Sequence, residues 1–267
     1  MIKRGWANRT VNLHLTPLRS IFKYAVNNGY ATNNPAKDVD DLAQTIKDHP
    51  IPPEEKMEKL LAEAAKTKAG FQLVVWVQLR GATAVRPTES FHLEWQDVDL
   101  PNDRIFVRSK AGSPLKGGKF RVVEIHPSLK PILVEWRKVW QERMKKIGTP
   151  HDWVFFNPFH PERQAKGFTK GFRNARRKAG IPNFRSYDLR HLFVSKAIMS
   201  GVDTFTISKW TGHQSTRMIE QVYGHLTPEF RAKQMQKIDF GLGRNGNGSG
   251  NGNGAGQGKG EAKETAV

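Results

Sequence analysis

A mainly helical fold with one small antiparallel sheet is predicted by three features of this 267-residue sequence. Apolar residues recur at helical spacing over several long segments, while strand-like stretches are short and confined to the middle of the chain. Clusters such as Asn28-Gly29, Asn33-Asn34-Pro35 and Pro52-Pro53 punctuate the segments where turns are needed.

The spacing predicts a helix over 10–29, capped by Thr10, with Leu15, Leu18, Phe22 and Ala25 or Val26 as its apolar stripe. A polar linker from Lys37 to Pro50 follows. Pro52-Pro53 with Glu54 and Glu55 then opens a helix to about Thr67, its acids lying at the positive end of the dipole. Residues 71–85 are apolar enough for a buried helix. Segments 104–108 and 120–125 read as a hairpin with a long, basic, Gly-rich loop. Pro127 opens a further helix through Leu129, Ile132, Leu133, Trp136 and Trp140. An extended piece covers 153–156, and the rest is helical to about Phe240. The tail from Gly241 is rich in Gly and Asn, lacks the apolar residues that would offset ordering entropy, and is expected to be disordered.

Composition narrows the function classes. The formal net charge is +18, from 43 Lys+Arg against 25 Asp+Glu. Beyond Phe240, Arg244, Lys259 and Lys263 face Glu261 and Glu264, so nearly all the excess belongs to the body. A body this basic attracts polyanions, nucleic acid above all. Cysteine is absent, which excludes disulfides and thiolate metal sites and suits the cytoplasm. No run reaches the roughly 20 apolar residues that span a bilayer, and the N-terminal residues do not read as a secretory signal.

Four local patterns carry candidate chemistry. Gly81-Ala-Thr-Ala-Val-Arg86-Pro-Thr-Glu89 sets an arginine after an apolar helix and near an acid. Ser109-Lys110-Ala-Gly112 lies in the hairpin loop. Tyr187-Asp-Leu-Arg190-His191 stands at a helix start. Thr211-Gly-His213 precedes Tyr223-Gly-His225 by ten residues, counted from His213 to Tyr223. Three of the four have a bland reading. Arg86 pairs with Glu89 at i+3, Lys110 is a solvated loop lysine, His213 is a buried structural histidine, and Tyr223 packs on a helix.

In order and spacing these patterns resemble the catalytic domain of the tyrosine recombinases, the phage integrase family, over roughly residues 50 to 235. The resemblance implies an integrase-like DNA breaking-rejoining fold and site-specific cleavage and rejoining of DNA. Tyr223 would be the nucleophile, forming a 3′-phosphotyrosyl intermediate, and Arg86 and Arg190 would clamp the phosphate with charged guanidinium forks. Lys110 would be the general acid, with Lys116 and Lys119 in the same loop as substitutes. His213 would hydrogen-bond the phosphate, and His191 would support the site. Tyr187 departs from the family, which usually has histidine there; a phenol, with an ordinary pKa near 10, is a poor base at neutral pH but can donate a hydrogen bond to phosphate.

The family also implies double-stranded DNA as partner, a homotetramer on paired sites, no cofactor, no metal and no membrane. Lys170, Arg173, Arg176, Arg177 and Lys178 offer a cationic helical face for phosphates, or simply a solvated one. The expected organisation is a partial helical core-binding domain and linker over 1–49, the catalytic domain over 50–240, and the tail over 241–267. A stretch of about 50 residues is short for the usual four-helix N-terminal domain, which suggests truncation, a missing half supplied elsewhere, or a mobile-element remnant. Two further functions compete: a catalytically impaired DNA-binding remnant, motivated by Tyr187 and this short N-terminal region, and type IB topoisomerase-like relaxation without site choice.

Overall fold

The computed structural model describes residues 5–43, 51–114, 120–213, 215–217, 219 and 220. Helix α1 spans Asn8–Asn27 and contains Pro17. It starts two residues before the expected Thr10 cap, and its N-cap is Ala7, with no side-chain cap. Of its anticipated stripe, Leu15, Phe22, Ala25 and Val26 are half-buried and Leu18 is exposed, while Val11 and Asn12 are the fully buried positions. Polar bonds tie α1 to the segment that follows. Asn12 Nδ2 donates to the Leu42 carbonyl and Asn12 Oδ1 accepts from the Leu42 N–H, both at 2.9 Å.

Helix α2 (Glu54–Ala65) begins after Pro53 as anticipated, and Glu54 and Glu55 occupy its first turn. Helix α3 (Phe71–Thr83) is mostly buried, through Leu73, Val75, Trp76, Val77, Leu79 and, unexpectedly, Arg80. It stops at Ala84, whose left-handed backbone (φ 55°) closes the last turn by donating to the Arg80 carbonyl at 3.1 Å. A five-residue helix, α4 (Pro87–Phe91), follows directly. The proline explains the break. Arg86 is forced extended (φ −64°, ψ 153°) because it precedes a proline, and Pro87 suits the first helical position.

The sheet has three strands, β1 (Val98–Asp99), β2 (Arg104–Val107) and β3 (Arg121–Glu124), in antiparallel order β1-β2-β3. The register pairs Ile105 with Val123 and Val107 with Arg121. The two-residue β1 was not anticipated, being too short to show alternation. Helix α5 (Lys130–Met144) starts three residues later than Pro127 suggests, with Pro131 in its first turn. Helices α6 (Thr169–Lys178), α7 (Asp188–Met199) and α8 (Thr204–Thr211) complete the described elements.

An aromatic core anchors the ends of α3 and α4. The Trp76 ring stacks on Phe91 at 5.5 Å between centroids and meets Phe168 and Phe172 edge-on at 5.7 and 5.9 Å. Such pairs contribute about 0.5–1.5 kcal/mol each beyond the area they bury. Trp76 Nε1 donates to Ser90 Oγ at 2.9 Å, and Ser90 Oγ donates to the Pro87 carbonyl at 2.7 Å. The helix carrying the residue after Arg86 is thus fixed to the core by both packing and hydrogen bonds.

Candidate active site

Three separate helix ends bring Arg86, Arg190 and His213 together. Arg86 is held from its own turn: Glu89 Oε2 accepts its backbone N–H at 2.7 Å, and Glu89 Oε1 accepts its Nη1–H at 2.8 Å. The i+3 ion pair raised as the bland reading therefore exists, as an N-cap interaction and not as the helical-face pair expected. Glu89 serves a second cation as well. Arg121 on β3 grips both carboxylate oxygens, Nη1 to Oε1 at 3.0 Å and Nη2 to Oε2 at 2.7 Å. Burial alone would raise the Glu89 carboxyl, but the hydrogen bonds and charge of Arg121, with those of Arg86, hold it down at about 2.

Arg190 lies in the first turn of α7 and is 3% exposed. Its Nη1 donates to the Ala84 carbonyl at 2.8 Å, and its Nη2 donates to the Thr211 carbonyl at 2.7 Å and to His213 Nε2 at 2.9 Å. The guanidinium thus joins the end of α3 to the end of α8. Burial first, and then the charge of Arg86, lower Arg190 to about 10, which leaves it charged at neutral pH.

His213 is delivered by the end of α8. Gly212 takes a left-handed backbone (φ 68°), and the His213 N–H closes back on the Ser208 carbonyl at 3.0 Å. A side chain at Gly212 would also press on Arg121, whose Nη1 lies 3.2 Å from the position of a Cβ there. With Nε2 accepting from Arg190, the imidazole proton sits on Nδ1 and donates to Thr211 Oγ1, 3.0 Å away. The Thr211 hydroxyl in turn donates to the Ile207 carbonyl at 2.7 Å. Burial, followed by the charges of Arg190, Arg86 and Arg121, lowers His213 to about 4, so it is neutral at pH 7.

Tyr187 immediately precedes α7 and is 46% exposed, its ring meeting His191 edge-on at 5.4 Å. Its phenol lies close enough to Arg190 to offset part of the effect of burial on that guanidinium. Lys110 is held elsewhere. Its Nζ sits 2.6 Å from Asp97 Oδ2 and 2.9 Å from Glu94 Oε2, in a tight loop closed by Lys110 and Ser113. Among the described residues Lys110 makes no hydrogen bond or ion pair to the arginine centre. Tyr223, Lys116 and Lys119 lie outside the described residues.

On α6, Lys170, Arg173, Arg177 and Lys178 are exposed, while Phe172 and Ala175 face the core. Arg176 is turned inward, with Nη1 donating to the Phe184 carbonyl at 2.7 Å. Lys178 approaches Glu63 at 3.4 Å. The anticipated cationic face therefore consists of four exposed side chains, with Arg176 bracing its edge.

Arg121 is the residue that sequence reasoning missed. Its Nε also donates to the Trp210 carbonyl at 2.8 Å, so one guanidinium ties β3 to both Glu89 and the turn before His213. The available signal was alternation: Arg121 shares a strand face with the buried Val123 and Ile125, an inward position for a charge.

A convergent set of arginines and a neutral histidine lies beside a small antiparallel sheet, an arrangement whose chemistry can grip an anion such as phosphate. The phage integrase family model matches residues 53–229, and the chain belongs to that family, one of DNA strand-breaking and rejoining enzymes that act in site-specific recombination. It is 26% identical to the ICEBs1 integrase of Bacillus subtilis, with 90% of this chain and 67% of that protein covered. It is 25% identical to a tyrosine recombinase XerC-like protein of Caldanaerobacter subterraneus, over 90% of this chain and 68% of that one. The chain thus spans about two thirds of the length of these relatives. The fold is similar to that of the Tn1549 transposon integrase in complex with transposon right end DNA. That match has a TM-score of 0.70 at 16% identity, over 89% of this chain and 82% of that one. Among the described residues no helix is long and apolar enough to cross a membrane.

Proposed function

We propose that this chain cuts and rejoins double-stranded DNA at specific sites through a transient bond between Tyr223 and a 3′-phosphate. The observation that carries the reading is the convergence of Arg86, Arg190 and His213, with Arg190 Nη2 only 2.9 Å from His213 Nε2. In the proposed reaction the Tyr223 oxygen attacks phosphorus and gives up its proton to water, and the bond from phosphorus to the 5′-oxygen breaks. Lys110 protonates that departing oxygen. Reversal of the same steps by another 5′-hydroxyl rejoins the strand. The phosphotyrosyl bond conserves the phosphodiester energy, so no ATP is needed.

Charge on the non-bridging oxygens grows toward the transition state, and preorganised guanidiniums are suited to stabilising it without a metal. A neutral His213 matches this role. When a phosphate oxygen takes the place of Nε2 as acceptor for Arg190, the imidazole is released to donate to phosphate in turn, and the anion favours its protonation. Residues 50–240 would form the catalytic domain and 1–49 a partial DNA-clamping domain, with copies of the chain assembling as a tetramer on paired sites in the cytoplasm. The exposed cations of α6 would contact the duplex backbone.

The test is an SDS-resistant adduct on nicked duplexes tiled across DNA flanking the gene, in EDTA, with Tyr223→Phe alongside. Adducts that require Tyr223 and survive EDTA are expected. Salt-sensitive binding without adducts would favour the impaired DNA-binding remnant, a reading that Tyr187 in place of the family's histidine supports. Sustained relaxation of unrelated plasmids would favour the topoisomerase-like reading.

A further inference from the structure

Arg80 is fully buried in α3, where it is the one charged residue of the helix, and the proposed chemistry does not use it. No ion pair joins it to a carboxylate among the described residues, and its Nη2 is buried without a hydrogen-bond partner. Burial and the charge of Arg190 lower it to about 9, still charged at neutral pH. Placing a guanidinium in such a position is costly unless its geometry serves something.

The guanidinium reaches two backbone carbonyls. Nε donates to Val85 O at 3.1 Å, and Nη1 donates to Ser186 O at 2.6 Å, across 106 residues of sequence. Val85 is the residue before Arg86, and Ser186 is the residue before Tyr187. The fork also lies over the Trp76 ring, with Cζ 4.7 Å from the centroid. Trp76 in turn holds Ser90, and Ser90 holds Pro87, on the far side of Arg86. Arg86 is therefore braced before and behind by one connected frame.

We propose that Arg80 is a positioning residue that sets the separation between the segment presenting Arg86 and the segment presenting Tyr187 and Arg190. It does so by holding both preceding carbonyls on one planar fork. A lysine cannot replace it, because an ammonium on a flexible stem has no fixed angle between donors. An ordinary structural tie would lower cleavage only in proportion to the folded fraction. A positioning residue slows the chemical step in protein that is folded and bound to DNA.

This inference rests on the reading that the centre cleaves DNA, and two readouts on the full chain separate them. The first is hydrogen exchange over 84–88 and 186–191 in Arg80→Met and Arg80→Lys. Both segments are expected to exchange about 10-fold faster together, with α5 unchanged. The second is single-turnover adduct formation on a nicked duplex. It is expected to slow about 30-fold or more, with duplex Kd altered less than about twofold, since small misplacements of reacting groups have effects of this order. Millimolar guanidinium, but not ammonium, should restore much of the rate to Arg80→Ala.

Unchanged exchange in either segment would overturn the proposal, as would cleavage that falls only with the folded fraction. Should Arg80→Met fail to fold, Arg80→Lys, which keeps the charge and most of the stem, carries the same readouts. Absence of adducts from the native chain on every duplex would count against the cleavage reading, and the exchange result would then decide the role of Arg80.

Discussion

Arg190 and Lys110 are both cations assigned to one phosphate in the proposed reaction, and they are held in opposite ways. Arg190 is braced by neutral acceptors, two backbone carbonyls and an imidazole, none of which cancels its charge. Lys110 is neutralised by two carboxylates, Asp97 and Glu94, the first of them almost fully buried. A guanidinium aimed by neutral groups keeps its field for the substrate, which is what electrostatic stabilisation requires. An ammonium between acids must be released before it can give up a proton. The difference suggests that the site is built in two stages, with a rigid centre present before DNA and a general acid recruited after it.

Four predictions test that division, in order of expected size. Arg190→Ala should slow single-turnover adduct formation by about 10³-fold or more, since it removes a preorganised donor and the brace between α3 and α8. Duplex binding measured alongside should change far less; equal losses in both would remove the distinction between rigid centre and DNA grip.

Glu89→Gln probes what keeps the centre rigid. The folded-state pKa of Glu89, about 2, lies below its ordinary 4.5. Its contribution is therefore complete above pH 4.5, declines as pH falls from 4.5 toward 2, and is gone below that. The full effect is about 3 kcal/mol, roughly three fifths of it lost by pH 3. Urea unfolding at pH 7 and pH 3 should show a smaller acid loss in Glu89→Gln than in the native chain. Parallel losses would mean that the carboxylate is not the linchpin.

Lys110→Ala should slow cleavage by about 10²-fold, the usual scale for general acid catalysis. A duplex whose 5′-bridging oxygen is replaced by sulfur, a leaving group that needs no proton, should restore the rate to near the native value. A deficit that persists with sulfur would assign Lys110 to binding. Ala84→Gly should give the smallest effect. Its left-handed backbone costs an L-residue roughly 1–2 kcal/mol, partly offset by the greater unfolded-state freedom of glycine. A net gain of about 0.5 kcal/mol is expected in the same urea titration, and a loss would show that the Ala84 methyl packs usefully.

Much of this site was legible because its residues announce themselves in local patterns. Arg86, Arg190 and His213 each stand where a helix begins or ends, and such boundaries are marked by Pro87, Asp188 and Gly212. Lys110 was found from its loop, but its carboxylate partners were not, because Asp97 and Glu94 are brought to it by the sheet. Arg121 was missed for a similar reason: its partner Glu89 lies 32 residues away in sequence. Arg80 hid inside a stretch read as simply apolar, although a lone charge there was itself a signal. The α1 stripe failed differently. Leu15, Phe22, Ala25 and Val26 are half-buried but Leu18 faces solvent, so periodicity identified the helix without identifying what covers it.

The carbonyls that hold Arg190 have a consequence for what the centre would respond to. A free orthophosphate ion would have to compete with Thr211, Ala84 and His213 with no other attachment to help it. A phosphate within a duplex arrives tethered by its neighbours, at an effective local concentration that a small ion in the cell does not reach. On the proposed reading these placeholder ligands would make the centre insensitive to the abundant anions around it and selective for phosphate that comes as part of a polymer.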